Sequence, residues 1–433
     1  MVENDIYNNE KKYLKFKNDY TTLAVPNFNK MRKYYCRNKE NLKHFQRLFN
    51  HFEANDISYV RRMRLIESFK VILFVTEKLL EECTRDDINQ IVAYAYSNFK
   101  SAKTVSDFKT DLKFMWKLIL PDPDIYGRPD ETMTPYVVRH LTSKVDKSRQ
   151  TERKDKLGNN PLEIHRNFQK LVASFHAETH MQAYLMLVWD SLARPQEILY
   201  LKRGNVHLRD GYADIFLTEH GKEGIKRIQC FDSFPYIVEW LNRHPLKDDD
   251  AFLFVNTRDM KQLKPVTINK KIRTKLKQLN INIPITSYSI KRNGITYLDI
   301  LGVPATDIQH RAGWTSTKQL QIYSKKDQDV AFKKRLADAG KLSDYEAQKY
   351  KQSVDLTQKC SSCGTLNKFT DEYCSSCRNP LFLDIGRSSK EYNVMKESFE
   401  LLKNIMHKPN AIQELELAQK FQQFYKTEKT VYN

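Results

Sequence analysis

The chain has 433 residues, which is too long for one compact domain and predicts two or three. Hydrophobic residues make up 40% and aromatic residues 12%, which excludes wholesale disorder, and the few glycines (12) and prolines (14) argue against collagen-like or many-turned all-β folds. Lysine and arginine total 72 against 53 acidic residues, and the net charge of +19 favours a polyanionic partner such as nucleic acid.

The apolar runs of the sequence are short and are interrupted by charges. None approaches the roughly 18 uncharged apolar residues that a membrane span requires, so no transmembrane helix is predicted. The first residues, MVENDIYNNEKKYLKF, lack the apolar segment of a secretory signal. We therefore expect a cytoplasmic protein without a membrane partner.

Helical periodicity dominates the first third of the chain. Residues 1–37 are assigned to an N-terminal extension, and residues 38–125 predict a helical domain whose clearest stripe lies in residues 41–52. Thr84 followed by Asp87, and Thr104 followed by Asp107, predict two helix starts. Residues 126–160 have no sustained periodicity and contain the basic polar run SKVDKSRQTERKDKLGNN, which is typical of a linker.

Residues 161–345 predict an α+β domain that is dominated by helices. Helical patterns at 162–175 and 181–201 precede two strand-like runs, 212–217 and 227–231, and the turn EHGKEGIK between the runs predicts a hairpin. Further helical patterns follow, at 235–242, 266–279, 289–301, 306–312 and 317–323. The segment VTINKKIRTKLKQ is rich in lysine and arginine and has no acidic residue, which favours phosphate contact.

Four of the seven cysteines form a CxxC–x10–CxxC array in residues 357–382. Such spacing places four thiolates around one tetrahedral ion, and we predict a zinc ribbon, with iron or disulfides as the alternatives. Because all four ligands are cysteines, no position stays open for a substrate and the Zn²⁺ is expected to be structural. Residues 383–433 predict a helical tail. The predicted ligands are Cys360, Cys363, Cys374 and Cys377.

The order of several short motifs resembles the tyrosine recombinase (phage-type integrase) family over roughly residues 160–335. ARPQEILYL is similar to the family's first arginine motif, and GKEGIKRIQCF to its lysine turn between two strands. YSIKRNGITYLDILGV matches the second box, and Gly313-Trp314 precedes QLQIYSKKDQ at the family's spacing. The ribbon after this region further resembles integrases of archaea and their mobile elements.

The resemblance implies a set of catalytic residues. Arg194 is the first arginine and Tyr323 is the nucleophile, while Lys222 is the general acid, with Lys226 as the alternative. Trp314 fills the family's histidine-or-tryptophan position.

The second box of the resemblance departs from the family's pattern. Gapless alignment places Tyr288 at the family's histidine and Lys291 at its second arginine. A shift of one residue places Ser289 and Arg292 there instead. The planar guanidinium of Arg292 suits two phosphate oxygens better, whereas the spacing to the Gly-Val turn favours Lys291. Both cations therefore remain candidates.

The resemblance also implies a function. The chain is expected to be a multidomain, mainly α protein in which a helical DNA-binding domain and an α+β catalytic domain enclose double-stranded DNA. A 3′-phosphotyrosine intermediate would conserve the bond energy, so neither a nucleotide cofactor nor a catalytic metal is expected. Recombination would use a tetramer on DNA, and the protein would be associated with the nucleoid. The ribbon or the tail would be the place where accessory proteins bind. The alternatives are a non-catalytic DNA-binding relative and a type IB topoisomerase.

Overall fold

Two large hydrophobic clusters divide the helices of the chain. The structure is a computed structural model that describes residues 5–26, 34–145, 155–218, 226–350 and 356–381. One cluster is built from residues 13–141 and the other mainly from residues 157–356. A small four-cysteine module follows the second cluster. Among the described residues, no helix is long and apolar enough to cross a membrane.

The N-terminal domain is a helical assembly with an aromatic core. Phe45, Phe49 and Phe69 are buried at its centre, and the rings of Phe45 and Phe69 meet edge to face at 4.9 Å. The predicted capping box at Thr84 begins α4, because Thr84 N donates to the Asp87 carboxylate at 2.8 Å, whereas the start predicted at Thr104 is wrong, since that helix already begins at Ala102. The helices are α1 (Asn9–Asp19), α2 (His44–Ala54), α3 (Tyr59–Val75), α4 (Arg85–Asn98), α5 (Ala102–Ile119) and α6 (Tyr136–Arg139).

Parts of the segments interpreted as extension and linker belong to the cores. Helix α1 packs on α3 through buried Tyr13, and Ile6 is buried in the second cluster, beside a hydrogen bond from Tyr7 Oη to Gln196 Oε1 of 3.5 Å. Val138 lies in the first cluster. The buried side chains of these segments, which include Ile6, Tyr13, Leu23, Val138 and Leu157, are widely spaced in the sequence and therefore produce no sustained periodic pattern.

The second domain combines helices with one small antiparallel sheet. Strands β1 (Val206–Leu208), β2 (Ala213–Leu217) and β3 (Lys226–Cys230) are ordered β1-β2-β3, and the expected hairpin pairs Leu217 with Lys226. The short, mostly exposed β1 was not predicted. The helices are α7 (Pro161–Ala173), α8 (Thr179–Ser191), α9 (Pro195–Leu199), α10 (Phe234–Arg243), α11 (Pro265–Gln278), α12 (Ser287–Leu301), α13 (Ala305–Ala312), α14 (Lys318–Tyr323), α15 (Gln328–Asp338) and α16 (Asp344–Gln348).

Helix α8 is the centre of this domain, and it is buried along its whole length. It packs against α10 and α12. Gly294 permits the close approach of α12, because a Cβ there would lie 3.1 Å from Leu192 Cδ2. The helical pattern at 181–201 is in fact two helices, since Leu192 adopts a left-handed conformation (φ 52°) and Pro195 begins α9.

The cysteine module packs on the second domain. Its strands β4 (Thr357–Lys359) and β5 (Leu366–Lys368) are antiparallel, and β5 contacts α10. Lys368 Nζ lies 2.6 Å from a Glu239 carboxylate oxygen, and Tyr236 Oη donates to Leu356 O at 3.1 Å. The predicted helical tail, 383–433, lies outside the described residues.

Candidate active site

The turn between α8 and α9 presents Arg194. Its backbone N–H donates to Glu197 Oε2 at 2.7 Å, and its Nη1 donates to Glu197 Oε1 at 3.1 Å. Glu197 is only 3% exposed and lies behind the arginine, on the first turn of α9. The carboxylate therefore fixes both the backbone and the guanidinium of Arg194.

Helix α12 carries Tyr288, Lys291 and Arg292 on its first two turns. Successive residues of a helix are rotated by about 100°, and the two cations accordingly lie in different surroundings. Lys291 is fully buried, with Nζ 5.3 Å from the ring centroid of Tyr323 and 5.9 Å from that of Trp314. The guanidinium of Arg292 lies over the Tyr288 ring, 5.0 Å from its centroid.

Trp314 and Tyr323 pack against each other at the end of α13 and on α14. Gly313, with φ 71°, ends α13 and directs the chain into Trp314. The two rings stack with centroids 5.1 Å apart and an interplanar angle of 25°. Within the described part of the chain, the buried Nε1 of Trp314 has no hydrogen-bond acceptor. This N–H therefore has no acceptor among the described residues, on a ring that stacks with Tyr323.

The two tyrosines meet at an open cleft. Tyr288 Oη and Tyr323 Oη are 2.8 Å apart, within hydrogen-bond distance. The pKa of Tyr288 is raised mainly by burial and, to a smaller extent, by the hydrogen bond with the phenol of Tyr323. The phenol of Tyr288 is therefore protonated at neutral pH. The cleft has a volume of about 450 Å³ and is lined by Asp155, Pro284, Tyr288, Arg292, Gln319, Ile322 and Tyr323.

Of the two candidate lysines in the hairpin, the structure describes only Lys226. Lys222 lies outside the described residues. Lys226, at the start of β3, donates from Nζ to Arg311 O at 2.8 Å, and a Cβ on Gly313 would lie 2.4 Å from that Nζ. The glycine before Trp314 therefore makes room for Lys226, which binds α13 in this structure.

Two acidic residues near the site were not identified from the sequence. Asp155 accepts hydrogen bonds from Ser289 Oγ and Arg292 Nη1, both at 2.9 Å. Asp190, fully buried at the end of α8, forms an ion pair with Arg311 of α13. Asp155 lies within the basic run that indicated a linker, and Asp190 within an apolar helix pattern, so neither had a motif to reveal it.

The four predicted metal ligands converge in the cysteine module. Their Sγ atoms all lie within 4.8 Å of one another, and the Cys360–Cys377 and Cys363–Cys374 pairs are 3.5 and 3.6 Å apart. Sulfurs bound at about 2.3 Å to one tetrahedral ion are about 3.8 Å apart, so the arrangement fits a single Zn²⁺. No disulfide joins any two of these four cysteines, which disagrees with the disulfide alternative.

Comparison with known proteins places this geometry in context. Residues 164–329 match the phage integrase family. A search of curated proteins gives no match. The chain is similar to XerH site-specific recombinase bound to palindromic difH substrate, with 15% identity, a TM-score of 0.51, and coverage of 79% of this chain and 97% of that one.

Two further solved structures share the fold. The Tn1549 transposon integrase in complex with a circular intermediate DNA is 12% identical, with a TM-score of 0.51 and coverage of 68% of this chain and 99% of that one. A lambda integrase tetramer bound to a Holliday junction is also 12% identical, with a TM-score of 0.50 and coverage of 66% of this chain and 78% of that one. The chain thus contains a phage integrase family domain within a mainly helical fold shared with these proteins.

Proposed function

We propose that this protein is a site-specific DNA recombinase that cleaves and rejoins DNA through a 3′-phosphotyrosine. One observation carries the proposal: in a phage integrase family domain, the phenol of Tyr323 lies at a cleft bordered by the cationic side chain of Arg292. The solved relatives bound to recombination substrates or to a Holliday junction support DNA as the substrate and a tetramer as the assembly.

The proposed step is a phosphoryl transfer. Tyr323 Oη attacks the phosphorus, the bond to the 5′ oxygen breaks, and that oxygen takes a proton from Lys222. The phenol releases its own proton to water in the open cleft as the new P–O bond forms. Attack by a 5′ hydroxyl reverses the step, releases Tyr323 and rejoins the strand, so the number of phosphodiester bonds is conserved.

The surrounding cations would stabilise the charge that develops on the nonbridging oxygens. Arg194 is held in place by Glu197. We assign the second phosphate-binding role to Arg292, because it lines the cleft, whereas Lys291 is fully buried beneath the Tyr323 ring. There, Lys291 would stabilise negative charge on the attacking oxygen, and Trp314 Nε1 and Tyr288 Oη would donate hydrogen bonds to the phosphate.

We further propose that the cysteine module holds one structural Zn²⁺, bound by the four cysteines whose sulfurs converge. No step of the reaction passes through this ion. A C-terminal four-cysteine module beside an integrase family domain is consistent with the archaeal mobile-element integrases that the sequence resembles. The packing of β5 on α10 supports a contact within the chain rather than with DNA.

The test is covalent trapping on DNA. Duplexes that bind the full-length protein are selected from a random library, and a nick beside each candidate position lets the 5′-hydroxyl fragment escape. We expect a denaturant-resistant protein–DNA adduct from the unmodified protein and from Tyr345→Phe, an exposed control tyrosine. Tyr323→Phe should bind the same duplex but form no adduct.

Three outcomes would contradict the proposal. A tightly bound duplex without an adduct would indicate the non-catalytic relative. An adduct that survives Tyr323→Phe would remove Tyr323 as the nucleophile. Relaxation of supercoiled plasmid with no strand exchange between two selected sites would indicate a topoisomerase instead.

A further inference from the structure

A carboxylate faces the candidate active site from the end of the connection between the two domains. Asp155 Oδ2 lies 2.9 Å from Arg292 Nη1 and 2.9 Å from Ser289 Oγ. The same residue lines the cleft that contains the phenols of Tyr288 and Tyr323. The negative charge of Asp155 is thus located beside the atoms that the proposed reaction would use.

The position of Asp155 is fixed by the backbone around it. Asn293 Nδ2 donates to Asp155 O at 2.9 Å, and Leu157 N donates to Asn293 Oδ1 at 2.7 Å. Leu157 is fully buried in the core of the second domain. These contacts attach residues 155–157 to α12, so the carboxylate lies next to Arg292 as part of a built arrangement and not as a chance surface contact.

The two arginine–carboxylate pairs of the site differ in where the carboxylate lies. Glu197 is buried behind Arg194, is 3% exposed and does not line the cleft. Asp155 is 15% exposed and forms part of the cleft wall. A carboxylate behind an arginine orients it for an incoming anion, whereas one on the open side binds the guanidinium N–H groups that the anion needs.

We propose that Asp155 is an internal competitor of the DNA phosphate: its carboxylate engages Arg292 in the DNA-free protein and must be displaced before the phosphate can bind there. This inference rests on the proposed function, since it assigns the phosphate-binding role to Arg292. The carboxylate occupies N–H groups of Arg292 and offsets its charge, and both effects weaken DNA binding and slow cleavage.

The experiment compares Asp155→Asn with Glu197→Gln in the full-length protein. Each change removes one negative charge and keeps the side-chain size. We expect Asp155→Asn to lower the Kd for a selected duplex several-fold and to raise the rate of adduct formation at saturating DNA by about tenfold. Glu197→Gln should lower that rate, because Arg194 loses its orienting partner.

Two controls separate this effect from a general gain in positive charge. Asp250→Asn removes a carboxylate that pairs with Lys202 at 3.0 Å, and neither residue lines the cleft. It should change the Kd little. In an Arg292→Gln background, Asp155→Asn should no longer lower the Kd, since the proposed competition acts through that guanidinium.

The outcomes distinguish this inference from the proposed function. If Asp155→Asn weakens DNA binding or slows adduct formation, Asp155 orients Arg292 and the inference is overturned. An equal decrease of the Kd in Asp250→Asn would also overturn it. If the unmodified protein forms no adduct, the proposed function fails, while the Kd of each variant still decides whether Asp155 competes with phosphate.

Discussion

The two domains bury charged groups in different ways. In the N-terminal domain, Asp111 is buried, but its partners Arg61 and Arg64 have side chains that are 34% and 42% exposed. In the second domain, Asp190 is fully buried and pairs with Arg311, which spans from α13 to the end of α8. Lys291 is fully buried as well. Both carboxylates are therefore buried, but the arginine that pairs with Asp190 is less exposed, at 27%, than either arginine that pairs with Asp111.

This difference follows from what each domain holds in place. Edge-to-face and stacked aromatic rings fill the N-terminal core, and Arg61 and Arg64, the partners of Asp111, stay partly hydrated. The second domain must hold cations beside a cleft, and the ion pair of Asp190 and Arg311 joins the end of α8, just before Arg194, to the helix before Trp314. Buried charge in this domain thus connects the elements that position the candidate site.

The largest loss of stability should come from replacing the buried carboxylate of Asp190. Asp190→Asn leaves Arg311 without its counter-charge and removes an acceptor for Ser233 N and Oγ, and we expect a loss of about 4 kcal/mol in the second domain. Asp111→Asn, the matched change in the N-terminal domain, should cost about 1–2 kcal/mol, because Arg61 and Arg64 remain partly hydrated. Urea unfolding followed by hydrogen exchange of peptides from each domain measures both losses.

Equal losses for the two substitutions would contradict the comparison, because they would mean that the lower exposure of Arg311 does not matter. A useful control is Asp214→Asn. Asp214 lies in the second domain but pairs with Arg209 and Arg227, whose side chains are more than half exposed. Its loss should resemble that of Asp111→Asn, which would attribute the effect to the surroundings of the pair and not to the domain.

Acid should destabilise the second domain more than the first. Burial lowers the pKa of His165 to about 4, against 6.5 for a hydrated histidine, so the unfolded chain binds a proton before the folded domain does. Stability attributable to His165 is complete above pH 6.5 and is lost as the pH falls from 6.5 to about 4, by about 3 kcal/mol. Burial also lowers the pKa of His44, but Glu81 opposes that shift.

The measurement uses urea unfolding at pH 7, 6, 5 and 4. In a Trp116→Phe background, the remaining tryptophans all lie in the second domain, so their fluorescence reports on that domain alone. His165→Phe keeps an aromatic ring against Tyr297 and should reduce the pH dependence, while His180, whose pKa burial also lowers to about 4, keeps its own contribution. A second domain whose stability is unchanged between pH 7 and 4 would contradict this assignment.

The sequence predicted the features that depend on local spacing. The hairpin, the capping box at Thr84 and the converging cysteines all follow from residues close together in the chain. It did not predict contacts between distant segments, such as Asp155 with Arg292. The choice between Lys291 and Arg292 also depends on which side of α12 faces the cleft, and this is set by packing on α8 rather than by spacing.

Removal of Zn²⁺ from the cysteine module should change the stability of the two domains least of all. The module's own core is limited to Cys360, Cys374 and Leu381, so we expect it to unfold when a chelator removes the ion or when Cys374 is replaced by Ser. The second domain then loses the contact of Lys368 with Glu239, at a cost of about 1 kcal/mol, and the N-terminal domain is unaffected.

Elemental analysis of the purified protein should find one zinc per chain, and hydrogen exchange should show loss of protection in residues 356–381 with a smaller change in α10. Protection of the module after complete removal of metal would contradict a structural ion. Among the described residues, β5 packs on α10 of the second domain, so we expect the effect to stay within that domain. A large loss of stability in the N-terminal domain would instead mean that the module joins the two domains.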